Sequence, residues 1–201
     1  QLALRLTMRR ILATLAVVGA LLFSAGSAWA DFDDGMAAYE RGDYATALQE
    51  FRPLAEQGDV KAQFNLGFMY DNGKGVPEND AEAAKWHRKA AEQGDVMAQY
   101  SLGGMYFRGE GVSQNYTEAV KWFRKAAEQG DAYAQVNLGF MYGTGEGVPM
   151  NYVKAYMWYS LAKAQGNEDA VKGLYIIEKE MNTDQIAKAQ VLATEWREKH
   201  N

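Results

Sequence analysis

Ala62, Leu66, Met69 and Tyr70 stand at i, i+4, i+7 and i+8, which places them on one face of a helix. The same set returns as Ala98, Leu102, Met105 and Tyr106, and again as Ala134, Leu138, Met141 and Tyr142. A second apolar stripe follows each of these. Ala83, Trp86 and Ala90 form the first, with Lys85, Arg88 and Lys89 expected to turn toward water. The pattern therefore predicts pairs of amphipathic helices, called A and B below, and no strand is evident.

The period is 36 residues, and 23 of 36 positions are identical between 59–94 and 95–130. Gly58, Gly94 and Gly130 are expected to end each preceding helix, where a left-handed residue costs least without a Cβ. Asp59, Asp95 and Asp131 follow as N-caps for helix A. Gly67 and its two equivalents leave room for another helix to come close. Loops with paired glycines (73–75, 109–111, 145–147) lead to helix B, which opens at Asn79, Asn115 or Asn151. Asn79 with Glu82 and Asn115 with Glu118 have capping-box spacing, whereas Asn151 with Lys154 does not. One hairpin cannot bury its apolar face alone, but stacked neighbours can.

These residues, in the order A-x-x-x-L-G-x-M-Y-x-x-G-x-G-V, then A-x-x-W, then A-A-x-x-G, resemble the Sel-one-like (Sel1-like) repeat, a relative of the tetratricopeptide repeat. The resemblance implies an all-α fold: a right-handed α-solenoid of antiparallel helix pairs. The units are 31–58, a tetratricopeptide-like helix pair with Pro53 expected to kink its second helix; repeats at 59–94, 95–130 and 131–166; and 167–201, a degenerate repeat with a capping helix. The degenerate unit keeps Ala170 and Leu174 but loses the Gly and the Met-Tyr pair. Asn182 opens the last helix, whose Ile186, Ala189, Ala193 and Trp196 are expected to cover the open end.

Residues 1–30 read differently. Translation is expected to start at Met8, with residues 1–7 upstream of it. Arg9 and Arg10, the apolar run 11–23 and the small-residue ending Ala28-Trp29-Ala30 make a secretory signal peptide, cleaved after Ala30. An uncleaved anchor over 11–30 is the alternative, and Ser24, Gly26 and Ser27 speak against it. The expected product is periplasmic or secreted. Without 1–30 the net charge falls from −5 to −8, because three arginines leave with no acid. An acidic chain argues against nucleic acid as partner. Having no cysteine excludes disulfides, thiolate metal sites and cysteine nucleophiles.

Chemistry is sparse. The Gly-x-Gly loops follow helices and not strands, so they do not form a dinucleotide fingerprint. His87 shares its register with Phe123 and Tyr159, which marks it as packing, and His200 is penultimate. No nucleophile–base pair, cofactor site or metal site is expected. Glu110 and Glu146 sit in successive loops, where a shared cation or solvated charge would account for them; Lys74 in the first copy favours solvated charge.

Scaffold positions repeat and ligand positions need not. Helix A varies at 64/100/136, 65/101/137, 68/104/140, 71/107/143 and 72/108/144. Resemblance to tetratricopeptide arrays implies that helix A lines a concave binding face. The candidates there are the amides Gln63, Asn65, Asn72, Gln99 and Asn137, the rings Phe68, Phe107 and Phe140, and Arg108. Tyr100 and Phe64 are read as more core than groove. The implied function is a non-catalytic adaptor binding another protein or an extended peptide. One alternative is an enzyme acting on peptidoglycan or β-lactams, as suggested for disulfide-rich members. Another is a periplasmic protector that occupies an exported effector.

Overall fold

The computed structural model describes residues 30–200; the signal peptide predicted for residues 8–30 lies outside them apart from Ala30. The described residues form ten α-helices and no strands: α1 (Phe32–Glu40), α2 (Tyr44–Glu56), α3 (Val60–Asp71), α4 (Asp80–Glu92), α5 (Val96–Arg108), α6 (Tyr116–Glu128), α7 (Ala132–Thr144), α8 (Tyr152–Ala164), α9 (Glu168–Glu178) and α10 (Thr183–His200). They divide into two compact units, one up to Leu66 and one from Gly67 onward. No described helix is long and apolar enough to cross a membrane.

In the first unit α1 and α2 pair around Ala38, Ala47, Phe51 and Ala55, all buried. Gly35 permits the approach, since a Cβ there would lie 2.7 Å from the Phe51 ring. Asp31, Asp43 and Asp59 cap α1, α2 and α3 by accepting from the backbone N–H of Asp33, Thr46 and Ala62. Helix α2 continues through Pro53 to Glu56 as a single element.

The second unit is built from helix pairs. Within each repeat A packs on B, as α5 on α6 and α7 on α8, and each B packs on the next A. Leu102, Leu138 and Met141 are fully buried, and such side chains each contribute about 1.5–3 kcal/mol by leaving water. The glycine beside each leucine admits one ring of helix B: His87 at Gly67, Phe123 at Gly103 and Tyr159 at Gly139, with closest approaches to an added Cβ of 2.9, 2.7 and 3.0 Å.

The paired glycines have separate tasks. Gly109 and Gly145 end α5 and α7 at φ 78° and 82°, each donating to the carbonyl of the methionine four residues back. Gly111 and Gly147 bring the loop against the start of the preceding repeat's helix B. A Cβ on either would collide with the backbone carbonyl of Asp80 or Tyr116.

Two local expectations are corrected. Asn79 and Asn115 do cap helix B, but their own N–H groups already donate to Tyr70 and Tyr106 carbonyls. Glu82 and Glu118 instead pair with Lys85 and Lys121. The reciprocal capping box forms elsewhere, between Asn182 and Gln185. Arg88 is not turned to water; it is half-buried and donates to the Tyr106 hydroxyl at 2.6 Å, as Arg124 does to Tyr142 at 3.0 Å.

At the C-terminal end, the glycine register holds Tyr175, which is exposed. Gly173, two residues earlier, lets α9 come close to the preceding helix B, where an added Cβ would collide with the Tyr159 ring that Gly139 also admits. Helix α10 packs on α8 with Ala189 and Ala193 buried and Trp196 edge-on to Trp158 at 6.0 Å. Val171, Tyr175 and Ile176 on α9 stay exposed, so the cover over this end is partial.

Candidate functional site

The repeated glutamines belong to the scaffold. Gln63 and Gln99 are 4% and 3% exposed, and their amides donate to the Ala55 and Ala91 carbonyls at the end of the preceding helix. Gln99 also accepts from Gln129 at the far end of its own repeat at 2.8 Å, and Gln129 reaches back to the Gly94 carbonyl of the preceding one. Gln135 and Gln165 repeat this arrangement at 3.0 Å. These buried amides are satisfied by protein, as buried polar groups must be. Gln63 and Gln99 therefore tie helices together and present nothing for a peptide backbone to meet.

The positions that vary come together elsewhere. Phe68 and Phe140 are both 40% exposed, and in the intervening repeat their register is occupied by Gly104. The missing ring opens a cleft of about 470 Å³ within the second unit. Its walls carry Tyr100, Phe107 and Phe123, with Ser101 and Asn137 on α5 and α7. Phe107 meets Tyr116 at 5.4 Å and Phe140 edge-on at 6.1 Å, and Tyr100 meets Phe123 at 5.9 Å.

One side of the cleft is acidic, with Asp71, Glu78, Asp80 and Glu110. Arg108 crosses it, its guanidinium 3.0 Å from where a Gly104 Cβ would stand and 2.7 Å from the Glu110 carboxylate. That hydrogen bond holds Glu110 below the usual carboxylate range and raises Arg108 above its ordinary value. Asp71 also lies 2.7 Å from Nε2 of His87, a ring that is fully buried between helices and not presented to solvent.

Of the nine residues expected to meet a partner, Phe107, Arg108 and Asn137 line the cleft and Phe140 packs against its Phe107 wall. Phe68 and Asn72 lie in the same unit outside the cleft lining, with the Asn72 amide donating to the Phe68 carbonyl. Asn65, in the first unit, donates likewise to its own helix at Lys61. Asp71, Glu78, Asp80 and Gly104 were not among the nine. The signal for Gly104 was a glycine where both neighbours carry phenylalanine. The signal for Glu78 and Asp80 lay in the loop and at the first residue of helix B, outside the variable positions of helix A. Tyr100, read as core, is half-buried and does both. Glu110 is paired with Arg108, and among the described residues no three His, Asp or Glu side chains are grouped to hold a metal ion.

A family model described as the Sel1 repeat matches residues 60–95, 96–131 and 132–167, one residue later than the units delimited from the glycines. The chain belongs to the Sel1 repeat family. A Sel1 repeat protein from Oxalobacter formigenes is 33% identical, with a TM-score of 0.71 over 85% of this chain and 71% of that one. The protective antigen c5321 of uropathogenic Escherichia coli is 32% identical, at TM-score 0.59 over 77% of this chain. This chain spans only 41% of that antigen's length. Cysteine rich protein B of Helicobacter pylori, at 23% identity and TM-score 0.52 over 65% of this chain and 93% of its own, shares the fold. The Sel1 repeat chain described here has no cysteine. No curated protein matches it significantly. The α-solenoid expected from the repeats is thus the fold of its solved relatives.

Proposed function

We propose that this Sel1 repeat protein is an exported, non-catalytic scaffold that holds another protein, or an extended peptide segment of one, against the helix A residues of its second unit. One observation carries the reading. Tyr100, Ser101, Gly104, Phe107, Arg108 and Asn137, all at positions that differ between repeats, line one cleft, while the invariant Ala, Leu, Gly and Gln positions are occupied in packing. Aromatic walls offer anchoring area, and the varied polar groups offer partner choice. Export rests on the charged, apolar and small-residue succession from Met8 to Ala30.

The test is a crosslinking pull-down from a bacterial envelope extract, read by mass spectrometry. A single dominant protein should be captured and be lost with Phe140→Ala, while helix content by circular dichroism stays unchanged. Capture of muropeptides instead, or hydrolysis of a β-lactam by the purified chain, would overturn the scaffold reading. N-terminal sequencing of the exported protein should begin at Asp31; a retained N-terminus would remove the export claim.

A further inference from the structure

We propose that the Gly104 cleft is the seat for one cationic side chain, an arginine or lysine, carried by the partner segment, and that Arg108 is its internal placeholder. This rests on the scaffold reading and names the chemistry of what the cleft receives.

The first support is Gly104 itself. A glycine inside a helix costs roughly 0.5–1 kcal/mol relative to alanine. Gly103 justifies that cost, because Phe123 lies where its Cβ would be. Gly104 does not: an added Cβ would meet only the mobile tip of Arg108. What the glycine secures is open space where the two flanking repeats place phenylalanine.

The acids give the second support. Asp71 is replaced in the next copies by Phe107 and Gly143, Glu78 by Gln114 and Met150, and Asp80 by Tyr116 and Tyr152. The fold does not require a carboxylate at any of these positions, yet all three occur together, in one of the two repeats that flank the glycine. Asp71 is shared with His87, which leaves Glu78, Asp80 and Glu110 as the wall a cation would meet.

The third support is that the cleft already holds a cation. The Arg108 guanidinium lies across Gly104 and bonds Glu110, and its register carries Asn72 and Thr144 elsewhere. An entering side chain would lay its aliphatic stem along Tyr100 and Phe107, bring its charge to the carboxylates and displace Arg108 from Glu110. Arg108 shields the acids while the seat is empty and competes with any ligand for it.

The test uses the full chain and a fluorescein-labelled extended peptide of alternating serine and arginine, read by fluorescence polarisation. A matched peptide with citrulline at each arginine removes charge but keeps shape. The arginine peptide should bind at least tenfold more tightly than the citrulline peptide. Glu78→Gln with Asp80→Asn should weaken it at least tenfold. Gly104→Phe, which restores the neighbouring repeats' residue, should abolish binding with helix content unchanged, and Arg108→Ala should tighten it.

Equal binding of the two peptides would mean an apolar or neutral occupant and would overturn the proposal. So would affinity indifferent to Glu78→Gln/Asp80→Asn, or a self-association in sedimentation that Gly104→Phe disrupts. If the envelope partner is still captured by the Glu78→Gln/Asp80→Asn and Gly104→Phe variants, the cationic seat is wrong and the scaffold reading stands. If the peptides discriminate but no envelope protein is captured, the scaffold reading fails by itself.

Discussion

Gly103 and Gly104 are consecutive on α5 and have different neighbours, a buried ring and the end of a flexible side chain. Gly103→Ala must push Phe123 out of a packed core and should destabilise the protein by about 1–3 kcal/mol. Gly104→Ala needs only a small shift of Arg108 and should be neutral or stabilising by up to roughly 1 kcal/mol, from the helix propensity gained. Urea denaturation of the two variants side by side checks the contrast; equal losses would mean that Gly104 is also a packing residue. The role of Gly103 was legible from its threefold repetition beside leucine. Gln63 and Gln99 carried the same signal, since they repeat with Gln135. Their amide chemistry, equally suited to a peptide ligand and to a helix-end carbonyl, obscured it. Only the three-dimensional neighbourhood separates those uses.

Among the helices, buried amides join one repeat to the next beside the continuous apolar core. Gln135 is fully buried, donating to the Ala127 carbonyl and accepting from Gln165. Gln135→Leu would remove the side-chain donor from that carbonyl, which keeps the Gly130 N–H, and return the exposed Gln165 amide to water and the Gly130 carbonyl, a net loss of about 0.5–1.5 kcal/mol for the buried bond. The loss should appear in chemical denaturation, and hydrogen exchange should localise it to the junction of α6, α7 and α8. Helix α8 supplies a second measurable feature, Tyr159, which sits between Gly139 and Gly173. Burial pushes its phenol up to about 12 from 10, because the phenolate would lose its water. The folded value lies above the unfolded one, so this contribution to stability is complete below pH 10 and is lost as pH rises from 10 toward 12. Ultraviolet titration should show one tyrosine ionising late, and Tyr159→Phe should remove that step and flatten stability over the same interval. Helix boundaries and caps were readable because Asp, Asn and Gly act locally. The close approach of Gly173 to Tyr159 was not, because it depends on how α9 packs against a ring 14 residues away in sequence.

At the scale of the whole molecule, a repeat chain is stabilised by nearest-neighbour contacts. Helix α10 covers α8 through Ala189, Ala193 and Trp196 and adds a hydrogen bond from Gln190 to Tyr156. Removing residues 182–201 should therefore expose Trp158 and Tyr156 and lower amide protection most in α8 and α9, less in α6 and least in α4. Uniform loss along the second unit would instead mean that it unfolds as one cooperative block. The 36-residue period made the solenoid legible in the sequence, since such periodicity has few structural solutions. The cleft was only half legible: its helix A side followed from comparing repeats, and its acidic side comes from a loop and helix start brought opposite by folding.

The joints at Gly111 and Gly147 set main chain against main chain, glycine over the first carbonyl of the preceding helix B. Asp80 stands at one joint and Tyr116 at the other, and the contact is indifferent to which. Copies could thus be reordered, lost or gained in whole units without renegotiating the seam, while each carried its own helix A residues to a new address. Recombination in such a gene would shuffle binding surfaces as if they were beads on a string. It would do so only in steps of 36, and only while the glycine travels with the bead.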